Sequence, residues 1–237
     1  MADKKIEKAL YGPSLTEVAL GAVLGLIAGV LAACVFLVFL KPVVPVKEMP
    51  PKDKQVQGTV YHLLGGDSNA KSRTWTAKQK QFIAGTSIVV VEDELNAWAV
   101  SAFAAPAAPA AKPAKPGDKP AENTAALNGI FNPGTPNFRI RDGKMQIGVK
   151  CVLNWYGLTK EVTLLTTGVM VKSGDRFVYS PQTVFLGSCP VHLLPAVAGP
   201  LVSHLIDKKK APDAINSAWA KLTDVTIEGD TLKLTVQ

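Results

Sequence analysis

KMQIGVKCVLNWY, residues 144–156, places Met145, Ile147, Val149, Cys151, Leu153 and Trp155 at every second position, between mostly polar neighbours. That is the period of a strand with one buried and one wet face. Toward the C-terminus, EVTLLTTGVMVKSG carries apolar residues on both faces, as a central strand does, and DRFVYS and QTVFLG follow as short strands around Pro181. In VTIEGDTLKLTV, Val225 and Ile227, then Leu232, Leu234 and Val236, flank a turn at Gly229-Asp230, which predicts a hairpin with one apolar face. Toward the N-terminus, TVYHLL and SIVVV read as short strands.

Helical spacing appears between these runs. TAKQKQFIAG opens on a threonine cap and closes at Gly85, and EDELNAWAVSAF sets Leu95, Trp98, Ala99 and Phe103 on one face. Leu194, Val197, Leu201 and Leu205 form a stripe in VHLLPAVAGPLVSHLI, and PDAINSAW holds Ile215 and Trp219 one turn apart. The sum is an α+β domain, an antiparallel sheet packed with helices. The domain is expected over residues 58–237, interrupted by the Ala-, Pro- and Lys-rich stretch 104–123, which cannot bury apolar area and reads as a disordered insertion. The piece before the insertion is too small to fold alone, so it is expected to pack on the piece after it. Four prolines in residues 41–57, Pro42, Pro45, Pro50 and Pro51, predict an extended stalk.

Ahead of the stalk, residues 18–40 contain neither a charge nor a proline. At about 1.5 Å per residue the run is long enough for about 30 Å of hydrocarbon, and it exceeds the roughly 7–15 apolar residues of a cleaved secretion signal. Leu31-Ala32-Ala33-Cys34 resembles a lipoprotein acylation site, but the Val-Phe-Leu-Val-Phe-Leu after it would leave an apolar start where a polar tether is usual. A retained transmembrane helix behind a cytoplasmic tail, residues 1–17, is the expectation. Gly21, Gly25, Gly29 and Ala33 recur every four residues, the small-residue stripe that lets another membrane helix approach; chance occurrence of small residues is the alternative. Lysines flank the span on both sides, so charge does not orient it. The short tail favours a signal-anchor in a bacterial inner membrane with the domain in the periplasm.

The formal charge of +7 comes without the interleaving of basic and aromatic residues that a nucleic-acid face requires, so an anionic membrane surface is the better match. His62, His192 and His204 stand in no metal-ligand spacing, Ser188 lacks a nucleophile elbow, and Gly65-Gly66-Asp67 lacks the rest of a phosphate loop. Glu92-Asp93-Glu94 suits a helix N-terminus without any catalytic role. These patterns point to a non-enzymatic protein with no metal and no cofactor. Cys151 and Cys189 form a candidate disulfide, with two separately buried thiols as the alternative.

An N-terminal anchor, a strand entering a helix through Glu94-Leu95-Asn96-Ala97-Trp98, a run of antiparallel strands, and Leu186-Gly187-Ser188 ahead of VHLLPAVAGPL together resemble the YpmS-like and related small bacterial proteins of the tubular lipid-binding (TULIP) type. The resemblance covers most of residues 85–237. It implies a curled sheet wrapped on a helix and an apolar groove for an acyl chain, lined by Leu95, Trp98, Val149, Leu153, Leu164, Met170, Leu194, Val197 and Leu201; ordinary core packing is the alternative at each. The expected function is therefore that of a membrane-anchored module binding a lipid or other apolar ligand, which a large apolar pocket would support. The alternative is an accessory subunit that docks on another transmembrane helix or membrane complex, which a contiguous exposed apolar patch, with the groove filled, would support instead.

Overall fold

A computed structural model describes residues 12–66, 69–103, 131–155, 158–194 and 213–236 of the chain. The N-terminal tail up to residue 11, the insertion 104–123 and most of the helix expected around 194–205 fall outside them. The fold is α+β, with one N-terminal apolar helix and antiparallel sheets.

Helix α1, Leu15–Phe39, starts at a reciprocal cap. The Glu17 N–H donates to Ser14 Oγ and the Ser14 N–H to Glu17 Oε2, which satisfies two groups a helix end otherwise leaves open. It is the one helix among the described residues long and apolar enough to cross a membrane. The proline-rich stretch behind it does not stand free. Val43 is buried, and strand β1, Val44–Val46, pairs in parallel with β2, Tyr61–Leu63. Proline lacks a donor but not an acceptor, so an extended proline-rich strand can still pair along its carbonyls.

Next come helix α2, Asn69–Ile83, strand β3, Ile88–Val91, and helix α3, Glu92–Phe103. Four long strands follow as a meander, β4 Phe131–Arg141, β5 Lys144–Trp155, β6 Leu158–Ser173 and β7 Arg176–Leu186, closed by the two-residue β8, Cys189–Pro190. Helix α4, Asp213–Trp219, leads into the hairpin β9, Leu222–Glu228, and β10, Thr231–Val236. The pieces on either side of the insertion meet in one sheet: β3 pairs antiparallel with β10, and the second sheet has the order β3-β10-β9.

The register of the five-stranded sheet explains where the core lies. Ile140 stands opposite Met145, Phe138 opposite Ile147, Cys151 opposite Val162, Val149 opposite Leu164 and Leu164 opposite Leu186. Successive side chains alternate in face, so these residues, with Val184, Tyr179 and Phe177, form one continuous apolar face. Two clusters cover it. At one end Phe138, Ile140, Met145 and Phe177 pack with Trp75, Phe82, Leu95 and Ala99 of α2 and α3, and with Leu222, Val225, Leu232 and Leu234 of the smaller sheet. At the other end Cys151, Val162, Leu164, Val184, Cys189 and Val191 pack with Cys34, Leu37, Val38 and Phe39 of α1. On that face between them, the Tyr179 hydroxyl donates to the Met145 carbonyl at 3.1 Å and lies 3.2 Å from Thr166 Oγ1.

Candidate functional site: the junction of the apolar helix with the sheet

The last two turns of α1 are part of the domain. Backbone carbonyls at a helix C-terminus have no partner within the helix, and here the turn between β7 and β8 supplies one. The Ser188 N–H donates to the Leu37 carbonyl at 3.1 Å and to the Lys41 carbonyl at 2.9 Å. Ser188 is itself buried, its Oγ accepts from the Val60 N–H at 3.2 Å, and the Gly187 N–H donates to the Thr163 carbonyl at 2.8 Å. Gly187 has φ +58°, a conformation side chains disfavour, and a Cβ there would lie 2.7 Å from the Val38 carbonyl oxygen and 2.9 Å from that of Leu37. The turn thus lets backbone meet backbone, and Leu37 and Val38 seat on Leu164 and its neighbours.

Among the described residues, the part of α1 before Cys34 is exposed along its length. Gly21, Gly25 and Gly29 have open space where a Cβ would stand, and Leu20, Leu24, Ile27 and Leu31 are exposed. These three glycines and Ala33, the four stripe residues, therefore lie on the exposed part of the helix, ahead of Cys34.

The nine residues expected around one groove divide between two places. Leu95, Trp98 and Met170 belong to the α2/α3 cluster, whereas Val149, Leu153 and Leu164 lie under the end of α1; Leu194 follows the one-turn 3-10 helix Val191–Leu193 in a half-buried position. Val197 and Leu201 lie outside the described residues. A separate apolar cavity of about 230 Å³ opens among α2, α3, α4 and β10, walled by Trp75, Phe82, Leu95, Trp98 and Trp219. The Trp75 and Trp98 rings are 6.1 Å apart, and Trp75 Nε1 is buried without a hydrogen-bond partner.

The start of α3 is a clamp. Glu94 is buried, taking the Lys78 ammonium at 2.8 Å and the Val91 N–H at 3.0 Å. Glu92 accepts from the Gly66 and Ile140 N–H groups and from Arg139. Asn96, also buried, donates to the Gly66 and Phe138 carbonyls and accepts from the Phe138 N–H at 2.6 Å. The expected placement of negative charge at a helix start accounts for Glu92 and Glu94. Asn96 stands in the sequence only as part of the Glu94–Trp98 pattern, without this role, although an amide on an otherwise apolar helix face signals a buried backbone contact.

On the opposite face of the sheet, His62 lies against Gly148, where a Cβ would collide with the ring. Burial, and then the nearby Lys150 ammonium, lower its pKa from the ordinary 6.5. Of the cysteines, Cys34, Cys151 and Cys189 are all free thiols gathered in the junction cluster. The Cys151 thiol donates to the Val149 carbonyl at 3.5 Å, and Cys34 packs against the cluster that holds Cys189. Among the described residues, no cluster of His, Cys, Asp or Glu could hold a metal ion. No protein-family model matches the chain, and no curated protein matches it.

Proposed function

We propose that the protein is a single-pass, membrane-anchored accessory subunit that docks on another transmembrane helix and presents its α+β domain in a set orientation. The observation that carries this reading is the seating of Leu37, Val38 and Phe39 on the sheet, with the Ser188 N–H closing the helix end. A tether that only retains a domain at a membrane has no need of such a joint. A helix whose docking must orient a domain does, because rotation of the helix is then transmitted to the sheet. The end of α1 also fills the half of the apolar face where an acyl chain would have lain beside Leu164. The stripe of Gly21, Gly25, Gly29 and Ala33 is the docking face, since small residues admit a second backbone. The membrane is a bacterial inner membrane, with the domain on its periplasmic side.

The test is a photo-crosslinking side chain placed in turn at positions 25 and 24 of the full chain, in the membranes of its source cell. A discrete protein adduct from position 25, lost in a Gly29→Leu background and weak from position 24, supports docking. Equal adducts from both positions sink it.

The cavity walled by Trp75, Trp98 and Trp219 favours a second reading, in which the domain takes up a small apolar ligand. Quenching of tryptophan fluorescence by a brominated fatty acid, abolished by Leu95→Asp in a folded chain, is its signature. Unquenched emission at saturating lipid argues against it.

A further inference from the structure

The junction holds a pair of thiols that its non-covalent contacts do not require. Ser188 is tied to the Leu37 carbonyl, which fixes the next residue, Cys189, beside the helical turn that carries Cys34. We propose that Cys34 and Cys189 are a redox pair whose disulfide locks the apolar helix to the sheet, and that Cys151 takes no part. The inference rests on the junction described above and adds a means of regulating it.

Three observations single out this pair. Cys189 is buried in the cluster against which Cys34, itself half-buried, packs. Cys151 is wholly enclosed and its thiol is engaged by the Val149 carbonyl, so an oxidant has no approach to it. A hydrocarbon core of about 30 Å takes about 20 helical residues, so a span entered at Val18 is left near Leu37, about 5 Å beyond Cys34. Cys34 therefore lies about one helical turn inside that exit, at the domain end of the span, where an oxidant small and apolar enough to enter the membrane edge can meet it. Burial, with Cys34 beside it, raises the Cys189 thiol to about 11, and burial pushes Cys151 up to about 12. Neither thiol is then a ready first nucleophile, and the accessible Cys34 starts the exchange.

The oxidant is a small, uncharged disulfide that enters the membrane edge. The Cys34 thiolate attacks one of its sulfurs, forming a mixed disulfide and releasing one thiol. Cys189 then attacks the Cys34 sulfur of that mixed disulfide, forming the Cys34–Cys189 bond and releasing the second thiol. The oxidant gains the two electrons and two protons that the cysteines lose. The new bond crosses the interface that Ser188 holds by hydrogen bonds, so the oxidised helix cannot leave the sheet.

The experiment uses the full chain in lipid nanodiscs, exposed to an excess of a small, uncharged dialkyl disulfide, quenched in acid, alkylated and mapped as non-reduced peptides. A Cys34–Cys189 peptide pair, formed equally in Cys151→Ala, is expected, together with an at least tenfold slowing of hydrogen exchange at the Ser188 amide relative to the reduced chain. A Cys151–Cys189 pair, three alkylated thiols or unchanged exchange overturns the proposal. A short bis-maleimide applied to the reduced chain separates the two ideas. Linkage of Cys34 to Cys189 by the reagent but never by a disulfide refutes the redox pair and leaves the junction standing, whereas linkage by neither refutes both.

Discussion

At the scale of single residues, the polar groups that matter are those that backbone depends on. Asn96 alone satisfies both the N–H and the carbonyl of Phe138, in the middle of an apolar cluster. Replacing it with alanine leaves those groups buried without their partner, at a cost of about 3 kcal/mol. The change is expected as a lower denaturant midpoint of the micelle-bound full chain, and a midpoint within error of the native one disproves the clamp. His62 gives a pH dependence of known sign. Below 6.5 the unfolded imidazole binds a proton, while the folded one, its pKa lowered by burial and Lys150, binds one only at lower pH. The stability it preserves is whole above pH 6.5 and is lost as pH falls through the interval beneath, with a slope of at most about 1.4 kcal/mol per pH unit. His62→Gln flattens that part of the stability profile; a profile parallel to the native one between pH 4 and 7 rejects the assignment.

At the scale of elements, the joint between α1 and the β7–β8 turn depends on Gly187. Gly187→Ala adds a Cβ against the Val38 and Leu37 carbonyls at a backbone conformation alanine disfavours, and the joint opens at a cost of about 2 kcal/mol. Spin labels at Leu40 and Val178 report it, with a narrow distance distribution in the parent and a broad one in the variant; equal widths mean the joint survives. The sequence shows why some of this was legible. Strict alternation revealed β5 and the β9–β10 hairpin, because a half-buried strand must alternate. Helical spacing revealed α3, whose start the acidic residues mark, whereas α2 begins upstream of its expected cap, at Asn69. The joint stayed hidden because Leu37, Val38 and Phe39 are as apolar as lipid-facing residues, and hydropathy cannot distinguish a tail's contact from a side chain's. Gly148 within a strand was a readable sign of close approach, which His62 explains. Of the groove residues, Leu95 and Leu164 are buried and Trp98, Val149, Leu153 and Met170 half-buried, but their division was not legible, since one sheet face serves two clusters with different covers.

At the scale of the whole molecule, the apolar helix and the domain are not separable at the point where hydropathy would cut them. The cluster of Val162, Leu164, Val184 and Val191 is closed on one side by Cys34, Leu37, Val38 and Phe39. A fragment beginning at residue 41 lacks that cover and presents the lower half of the sheet face to water, and one beginning at residue 58 also loses Val43 and the strand that pairs with β2. Uncovering several large aliphatic side chains at roughly 25 cal/mol per Å² forfeits a sizeable share of the 5–15 kcal/mol that holds a typical domain together. Three fragments, beginning at residues 34, 41 and 58 and all ending at residue 237, are therefore expected to rank in that order in melting temperature. Binding of a fluorescent probe of exposed apolar surface should rise in the same order. The fragment from residue 34 keeps the seated turns without most of the span, so it isolates the contribution of the joint from that of the membrane. If the fragment from residue 41 melts with the one from residue 34 and binds no more probe, the end of α1 is a passive neighbour of the sheet, and orientation of the domain through the helix loses its physical basis.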